Sequence, residues 1–491
     1  MNQLYLSCTF LLLAIFPSSA QDNQAQAPSI NIDSMARVIQ ATYEVPGLAM
    51  VILRNEHIYY SGALGLQSID TQSPLTPSSL FHMASVSKPF VATAILQLVE
   101  AGKLKLDDKL VDHLPYFKMK DDRFRKITIK QMLNHSSGIP DVEDYEWDKP
   151  QYDDGAAERY SKSFTQDSLD FSPGEEFSYS NAAFDILADV IAKVSGMTFE
   201  TYMTKHIFQP TGMQHSTFFK PDVPKEIATQ PHGVDDNVQM TVLDVYPYNR
   251  KHAPSSTLHS NMEGMTQWAR LYFNKGTIHG NRVFSEATYD LLTSPTMSVN
   301  EKREICLGWF TVELDNKRFY YHSGGDDGYR TFFGFIPDEK AAIILMANSE
   351  QFSTGDVATY LASQLFGNQK ITWKKPIHFP LKKLILSQGI DSCKAFYYHV
   401  QKHQEDQYSL NGGHLDDLGY WLLDRGKHQQ ALDIFLFNVE LNPEDAGWHD
   451  SVGDAYAAMK NTPKAIEWYE KALAINPEQD FTIKKLKKLK K

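Results

Sequence analysis

Residues 418–485 repeat themselves at an offset of 34, and a period of that length leaves this part of the chain few ways to fold. The first copy, LGYWLLDRGKHQQALDIFLFNVELNPE, starts at Leu418; the second, VGDAYAAMKNTPKAIEWYEKALAINPE, starts at Val452. Gly419 answers to Gly453, Ala431 to Ala465, Phe435 to Tyr469 and Asn442-Pro443 to Asn476-Pro477. Small residues let two helices approach closely, and the proline ends the second helix. Each copy then reads as a helix–turn–helix unit that cannot bury its apolar stripe alone, so neighbours must stack. The expected units are 418–451 and 452–485. A degenerate unit is expected at 384–411, where GIDSCKAFYYHVQKHQ has apolar residues at helical spacing. Asn438 breaks the correspondence, since the second copy has Ala472 there.

The repeats fill residues 384–491 of a 491-residue chain, so a second and larger core must precede them. GNQKITWKKPIHFP is polar and proline-bearing, and a linker is expected over 367–383. Residues 28–366 then form one domain. GLAMVILRNEHIYYSGALG (47–65) reads as a hairpin, as does LGWFTVELDNKRFYYHSGG (307–325). TFFGFIPDEKAAIILMANS (331–349) adds one or two strands turning at Pro337-Asp338. Between them lie helical patterns at 88–101, 182–195, 200–207, 261–274 and 285–292. Strands first and last with helices between imply an α+β domain: one antiparallel sheet built from both chain ends, with helices packed on it.

Net charge is −12, which argues against a general nucleic-acid binder. The one basic run, KKLKKLKK at 484–491, has leucines at helical spacing and reads as an amphipathic helix end. Residues 1–20 carry an apolar stretch followed by small residues before Gln21, the pattern of a secretory signal peptide, although no Lys or Arg precedes it. A periplasmic or secreted protein without a later transmembrane segment is expected. Cys306 and Cys393 would remain as free thiols. No C-x-x-C or H-E-x-x-H spacing occurs, and neither metal nor cofactor is expected.

ASVSKPFVATAILQLVEAG (84–102) places Ser85 at the start of a helix and Lys88 one turn later, on the same face. The helix dipole and burial both disfavour an ammonium there, so Lys88 has the means to act as a neutral base toward the Ser85 hydroxyl. Taken alone the pair also fits a helix cap. Tyr179-Ser180-Asn181 precedes a second helix, and His322-Ser323-Gly324-Gly325 lies in a strand pair. His135 in LNHSSG has no G-x-S-x-G nucleophile elbow to serve, and Asp107-Asp108 and Asp326-Asp327 read as solvated turns.

In this order the three groups resemble the motifs of the serine β-lactamase and penicillin-binding protein superfamily. The nearest pattern is the branch of class C β-lactamases, D-alanyl-D-alanine carboxypeptidases, D-aminopeptidases and related esterases. ITIKQMLNHSSGIPD (127–141) and SSTLHSNMEGMTQWARL (255–271) resemble framework segments of that family. The 34-residue units resemble tetratricopeptide repeats. The first resemblance implies an exported serine hydrolase that forms an acyl-enzyme with an ester or amide. Ser85 would be the nucleophile, Lys88 the base or its partner, and Tyr179 the second proton carrier. Asn181, His322 and Gly324 would contact substrate, and the backbone N–H groups of Ser85 and Gly325 would form the oxyanion hole. The alternatives are a β-lactamase proper, or a non-catalytic scaffold whose repeats bind a protein. Many penicillin-recognising members carry lysine where His322 stands, and histidine is only partly charged near neutrality. Serines at 255 and 256 replace glycines common in relatives, which points to a different pocket rim. Partners implied are a small-molecule or peptide substrate and a protein bound by the repeats.

Overall fold

The computed structural model describes residues 31–367 and 370–490. The expected signal peptide at 1–20 lies outside them. The first helix, α1 (Ile32–Thr42), leads into strands β1 (Gly47–Arg54), β2 (His57–Ser68) and the short β3 (Ser73–Pro74). Late in the domain come β4 (Met297–Ser298), β5 (Arg303–Ile305), β6 (Phe310–Leu314), β7 (Lys317–Asp326), β8 (Tyr329–Ile336) and β9 (Ala341–Ala347). They join in the order β4-β5-β6-β7-β8-β9-β1-β2-β3, with every pairing antiparallel. The pair β1 with β9 joins the two ends of the domain, Leu48 opposite Ala347 and Leu53 opposite Ala342. Hairpin turns fall where polar residues tolerate positive φ, at Asn55-Glu56 and Asp315-Asn316.

Alternation along β1 decides which core each residue enters. Ala49, Val51 and Leu53 join the larger core, whereas Leu48, Met50 and Ile52 join a smaller one on the opposite face. The larger core contains α2 (Lys88–Glu100), α3 (Asn181–Ser195), α4 (Met262–Phe273) and α5 (Glu286–Thr293). These lie within a residue of the spans read from the sequence. The pattern at 200–207 becomes Phe199–Met203 followed by a wider π turn through Phe208. The opposite face is covered by α1 and by α6 (Thr354–Phe366), two helices absent from the sequence reading. The sheet is therefore covered on both faces.

The expected linker at 367–383 is a correction. Lys375-Pro376 pairs with Tyr408-Ser409, and α7 (His378–Gln388) begins inside the span. Ile377, Leu381 and Ile385 bury one helical stripe, and Pro380 sits in the first turn, where its missing N–H is harmless. With α8 (Ile390–His403) it forms the first helical pair, joined at Gly389, whose φ is +80°. Then follow α9 (Gly412–Asp424), α10 (His428–Leu441), α11 (Ala446–Ala458), α12 (Thr462–Ile475) and α13 (Asp480–Leu489). The 34-residue offset holds, but each unit starts at Gly412 or Ala446 rather than at 418 or 452. Those expected boundaries fall inside helices, because periodicity fixes a period and not a phase.

The small residues do what their correspondence implied. A Cβ on Gly419 would lie 2.1 Å from the Phe435 ring, and one on Gly453 would lie 2.4 Å from the Tyr469 ring. Asn438 keeps its place by donating to the Gly412 carbonyl at 2.9 Å.

The repeats rest against the first domain. Arg425 donates to the Val234 carbonyl at 2.9 Å and lies 3.8 Å from Glu350, and Lys382 donates to Gln351 at 3.1 Å. The basic C-terminal run is partly engaged within the chain: Lys485 pairs with Asp450 and Asp454 at 2.6 Å, and Lys490 with Glu470 at 2.7 Å. No helix among the described residues is long and apolar enough to cross a membrane. Cys306 and Cys393 are free and buried.

Candidate active site

From Leu80 to Leu96 each residue except Ser85 is buried. The chain enters α2 through a short tight turn, Ala84–Ser87, and Ala84 takes a left-handed φ of +47°. Such a backbone costs about 1–3 kcal/mol, and persists only where neighbours impose it. Here they do. Thr331 on β8 donates to the Met83 carbonyl at 2.6 Å. Gly324 on β7 packs so tightly that a Cβ would sit 2.4 Å from the same oxygen and 3.1 Å from the Ala84 Cβ. The two strands clamp the turn and turn the Ser85 hydroxyl outward. Ser85 is not a cap: its side chain bonds Lys88 and takes no capping hydrogen bond.

Lys88 is fully buried. Its Nζ lies 3.0 Å from Ser85 Oγ, 2.6 Å from Asn181 Oδ1 and 2.8 Å from the Ser255 carbonyl oxygen. Burial drives its pKa down to about 8, against the pull of Asp185, Asp141 and Asp326. The partners decide the direction of the lone pair. Two of the three are amide or peptide oxygens, which only accept. A neutral amine has two N–H bonds, and both are taken, so its lone pair faces Ser85.

The Asn181 orientation is fixed in turn. The Asp141 carboxylate accepts from the Asn181 backbone N–H at 2.6 Å and from Nδ2 at 3.2 Å. A carboxylate can only accept, so Nδ2 must face Asp141 and Oδ1 must face Lys88. The helix cap is Ser180, whose hydroxyl accepts from Ala183 N, and this leaves the Asn181 side chain free for the site. Asp141→Asn lets the amide of Asn181 reverse and removes a hydrogen bond to a charged group worth about 1.5–3 kcal/mol. The expected result is a loss of about ten- to a hundredfold in kcat/KM with KM little changed, read by steady-state assay of an ester.

Tyr179 is half-buried; desolvation raises its phenol well above the usual range, partly opposed by a hydrogen bond with Ser85. The Lys88 ammonium position lies 4.9 Å from its ring centroid. The His135 ring stacks on that of Tyr179 at 4.3 Å, and its Nδ1 accepts from Ser180 N at 3.1 Å. His135 thus shapes the Tyr179 segment and bonds to neither Ser85 nor Lys88.

His322 departs from expectation in degree. Its Nδ1 donates to the Ser323 carbonyl at 2.7 Å, and burial with the nearby Lys88 charge drives its pKa down to about 3. It is neutral across the whole working range rather than partly charged. The strand beneath it, β7, is interior to the sheet. β6 pairs it only through Tyr321, so His322, Gly324 and Gly325 lie on a stretch with no strand paired on that side. Gly324 is buried against the Ala84–Ser87 turn, whereas Gly325 is exposed.

Asp141 and Asp185 went unread in the sequence, and Asp326, Ser255 and Ser256 were read differently. Asp141 orients Asn181. Asp185 accepts from Ser255 N at 3.0 Å and from His252 Nδ1 at 2.6 Å, which aims the Ser255 carbonyl at Lys88. Asp326 was expected in a solvated turn, but it accepts from His82 Nε2 at 2.6 Å and from Ser256, and so ties the end of β7 to two other segments. Ser255 and Ser256 are buried rather than on a rim. No local pattern marks these residues, because each partner is at least 40 positions away. Asp108 keeps the turn role expected of it, accepting from Lys105 N at 2.7 Å.

Fold and site together define a serine-hydrolase-like domain of the β-lactamase and penicillin-binding protein type, followed by helical repeats. Residues 32–366 match the Beta-lactamase family, and the chain belongs to it; residues 446–479 match the Tetratricopeptide repeat, a unit that suggests protein interaction. "Protein flp" of Staphylococcus aureus (strain MW2) is 26% identical over 327 residues, covering 66% of this chain and 64% of its own length. The chain thus spans less than two thirds of that relative. "Penicillin-binding protein 4*" of Bacillus subtilis (strain 168) is 27% identical over 339 residues, 63% of this chain and 70% of the relative. The fold is shared with the octameric penicillin-binding protein homologue from Pyrococcus abyssi, at a TM-score of 0.62 and 24% identity over 69% of this chain and 77% of that one.

Proposed function

We propose that this protein is an exported serine hydrolase that cleaves an ester or amide through an acyl-enzyme on Ser85, in the manner of an esterase, D-aminopeptidase or carboxypeptidase. The observation that carries the reading is the buried Lys88 amine, 3.0 Å from Ser85 Oγ with its other two partners both acceptors. Lys88 takes the Ser85 proton as the hydroxyl oxygen attacks the carbonyl carbon. Backbone N–H groups of Ser85 and Gly325 receive the oxyanion. The leaving group departs with a proton relayed through Tyr179, and water, activated by the same groups, hydrolyses the ester. Tyr179 works as a neutral phenol, since burial holds its proton on; Lys88 is therefore the base. Mass spectrometry after a fluorophosphonate probe tests the reading: one adduct on the Ser85 peptide supports it, and an unlabelled protein rejects it.

A neutral His322 favours esters and peptides over β-lactams, because no cation stands there to hold a β-lactam carboxylate. His322→Lys is expected to raise the ratio of nitrocefin to p-nitrophenyl ester hydrolysis about tenfold, the value of one ordinary charged hydrogen bond. An unchanged ratio places specificity elsewhere. Export rests on the apolar stretch before Gln21; N-terminal sequencing of secreted or periplasmic protein should begin at that residue.

A further inference from the structure

Between the two domains lies a cavity of about 580 Å³ that the proposed reaction does not use. His378, at the start of α7, and Asp417, on α9, both line it. His378 faces His414 of α9, with ring centroids 5.2 Å apart. His414 and Asp417 are three residues apart and so share a helix face. One ring nitrogen of each histidine and a carboxylate oxygen of Asp417 all lie within 4.8 Å of one another. His378 is only 9% exposed, and its Nδ1 has no hydrogen-bond partner among the described residues. A buried polar atom left without a partner is destabilising unless something else engages it.

We propose that His378, His414 and Asp417 form a binding site for a divalent transition-metal ion of the zinc type, with its fourth position facing the cavity. Two imidazoles and a carboxylate are a donor set such ions take. His414 Nε2 is already engaged by Ser409 Oγ at 3.1 Å, the kind of outer contact that orients a ligating ring and leaves Nδ1 for the ion. Burial keeps both histidines neutral, the form that ligates. The surrounding charges are mixed. Asp356, on the first turn of α6, acts on His414 alongside Asp417. Lys382 opposes at His378, and Lys382 and Arg330 both act on Asp417. Lys382 is already committed, donating to Gln351 Oε1 at 3.1 Å and lying 5.0 Å from the Trp421 ring centroid. Bonds of about 2.0 Å set ligand-to-ligand edges of roughly 3.3 Å in a tetrahedral site. The side chains must close by an ångström or so, and the cavity gives them room.

An ion there fastens α7 to α9. Because α7 also carries Lys382 to Gln351, it stiffens the join between repeats and hydrolase domain. The test uses the full-length, tag-free chain stripped with a chelator. Titration with Co²⁺ should saturate at one equivalent, give the visible d–d bands of a low-coordinate ion, and be reversed by Zn²⁺. Zn²⁺ should also raise the thermal unfolding midpoint. Asp417→Asn and His414→Gln should each weaken Co²⁺ binding by at least about tenfold, the loss seen even when a group behind a ligand is removed. His57→Gln, at an exposed histidine elsewhere, should not. Absence of saturable binding, or an affinity unchanged in both ligand variants, overturns the proposal. If His414→Gln fails to fold by circular dichroism, Asp417→Asn decides, since Asp417 is exposed.

Discussion

Ser85→Ala should leave a folded protein that no longer takes a fluorophosphonate label and whose kcat falls on the order of 10⁴-fold or more. The folding half of that expectation follows from Lys88. Removal of the hydroxyl takes away one of three partners of its Nζ, but the Asn181 and Ser255 oxygens remain at 2.6 and 2.8 Å. The neutral amine has two N–H bonds and keeps both satisfied, so no buried donor is orphaned. Ser85 is also the one partly exposed residue of its segment, and its loss opens no core cavity. Thermal unfolding should move little while turnover disappears. Retained labelling, or an adduct mapped to another serine, would sink the acyl-enzyme reading. It would leave the fold, and with it the proposed interdomain metal site, untouched.

The second large effect concerns the base. With a pKa of about 8, Lys88 is roughly one-tenth neutral at pH 7 and mostly neutral above pH 8. The lowered pKa favours the deprotonated form, so kcat/KM should climb with pH and level off above about 8. Lys88→Arg keeps a cation but removes a usable base, because the guanidinium does not deprotonate in this range. General-base catalysis contributes about 10²–10⁴-fold, and a loss of that size is expected. The pH limb should vanish with it. Lys88→Met is the control for fit, since it removes the base without forcing a larger cation into a fully buried site. A variant with near-normal turnover, or a wild-type profile flat between pH 6 and 9, would transfer the role to another group.

The neutrality of His322 and Tyr179 bears on what such a site recognises. A lysine in place of His322 would add a permanent charge within reach of Tyr179 and favour a phenolate. Here burial holds both groups uncharged, and the electrostatics of the site reduce to Lys88 and the carboxylates behind it. Within the proposed reading, this favours esters and D-aminopeptidase-type amides over carboxypeptidase substrates, whose free carboxylate sits next to the scissile bond.

The sequence by itself determined a good deal. The apolar spacing of Val91, Ile95 and Leu98, closed by Gly102, settled the helix that carries Lys88, because helix periodicity is local. The hairpin at Asn55-Glu56 was equally local. The 34-residue period determined that paired helices stack, and Gly419 against Phe435 shows why a small residue recurs there. The order of Ser85-x-x-Lys88, Tyr179-x-Asn181 and His322-x-Gly324 pointed to one site before any distance was known.

Only the tertiary structure decided the rest, and the reason is sequence separation. Asp141 meets Asn181 across 40 residues, Ser255 meets Lys88 across 167, and Asp326 meets His82 across 244. No period or motif encodes a contact of that range; the sheet, closed by β1 against β9, brings the segments together. The same holds for charge. A histidine on a strand reads as half-ionised until the surrounding walls are in place. Burial then removes the water that would have solvated its proton, and Lys88 repels what remains. Phase is the third such quantity. The period of the repeats belongs to the sequence, but the start of each unit, at Gly412 and Ala446, was set by which helices found partners to bury their stripes.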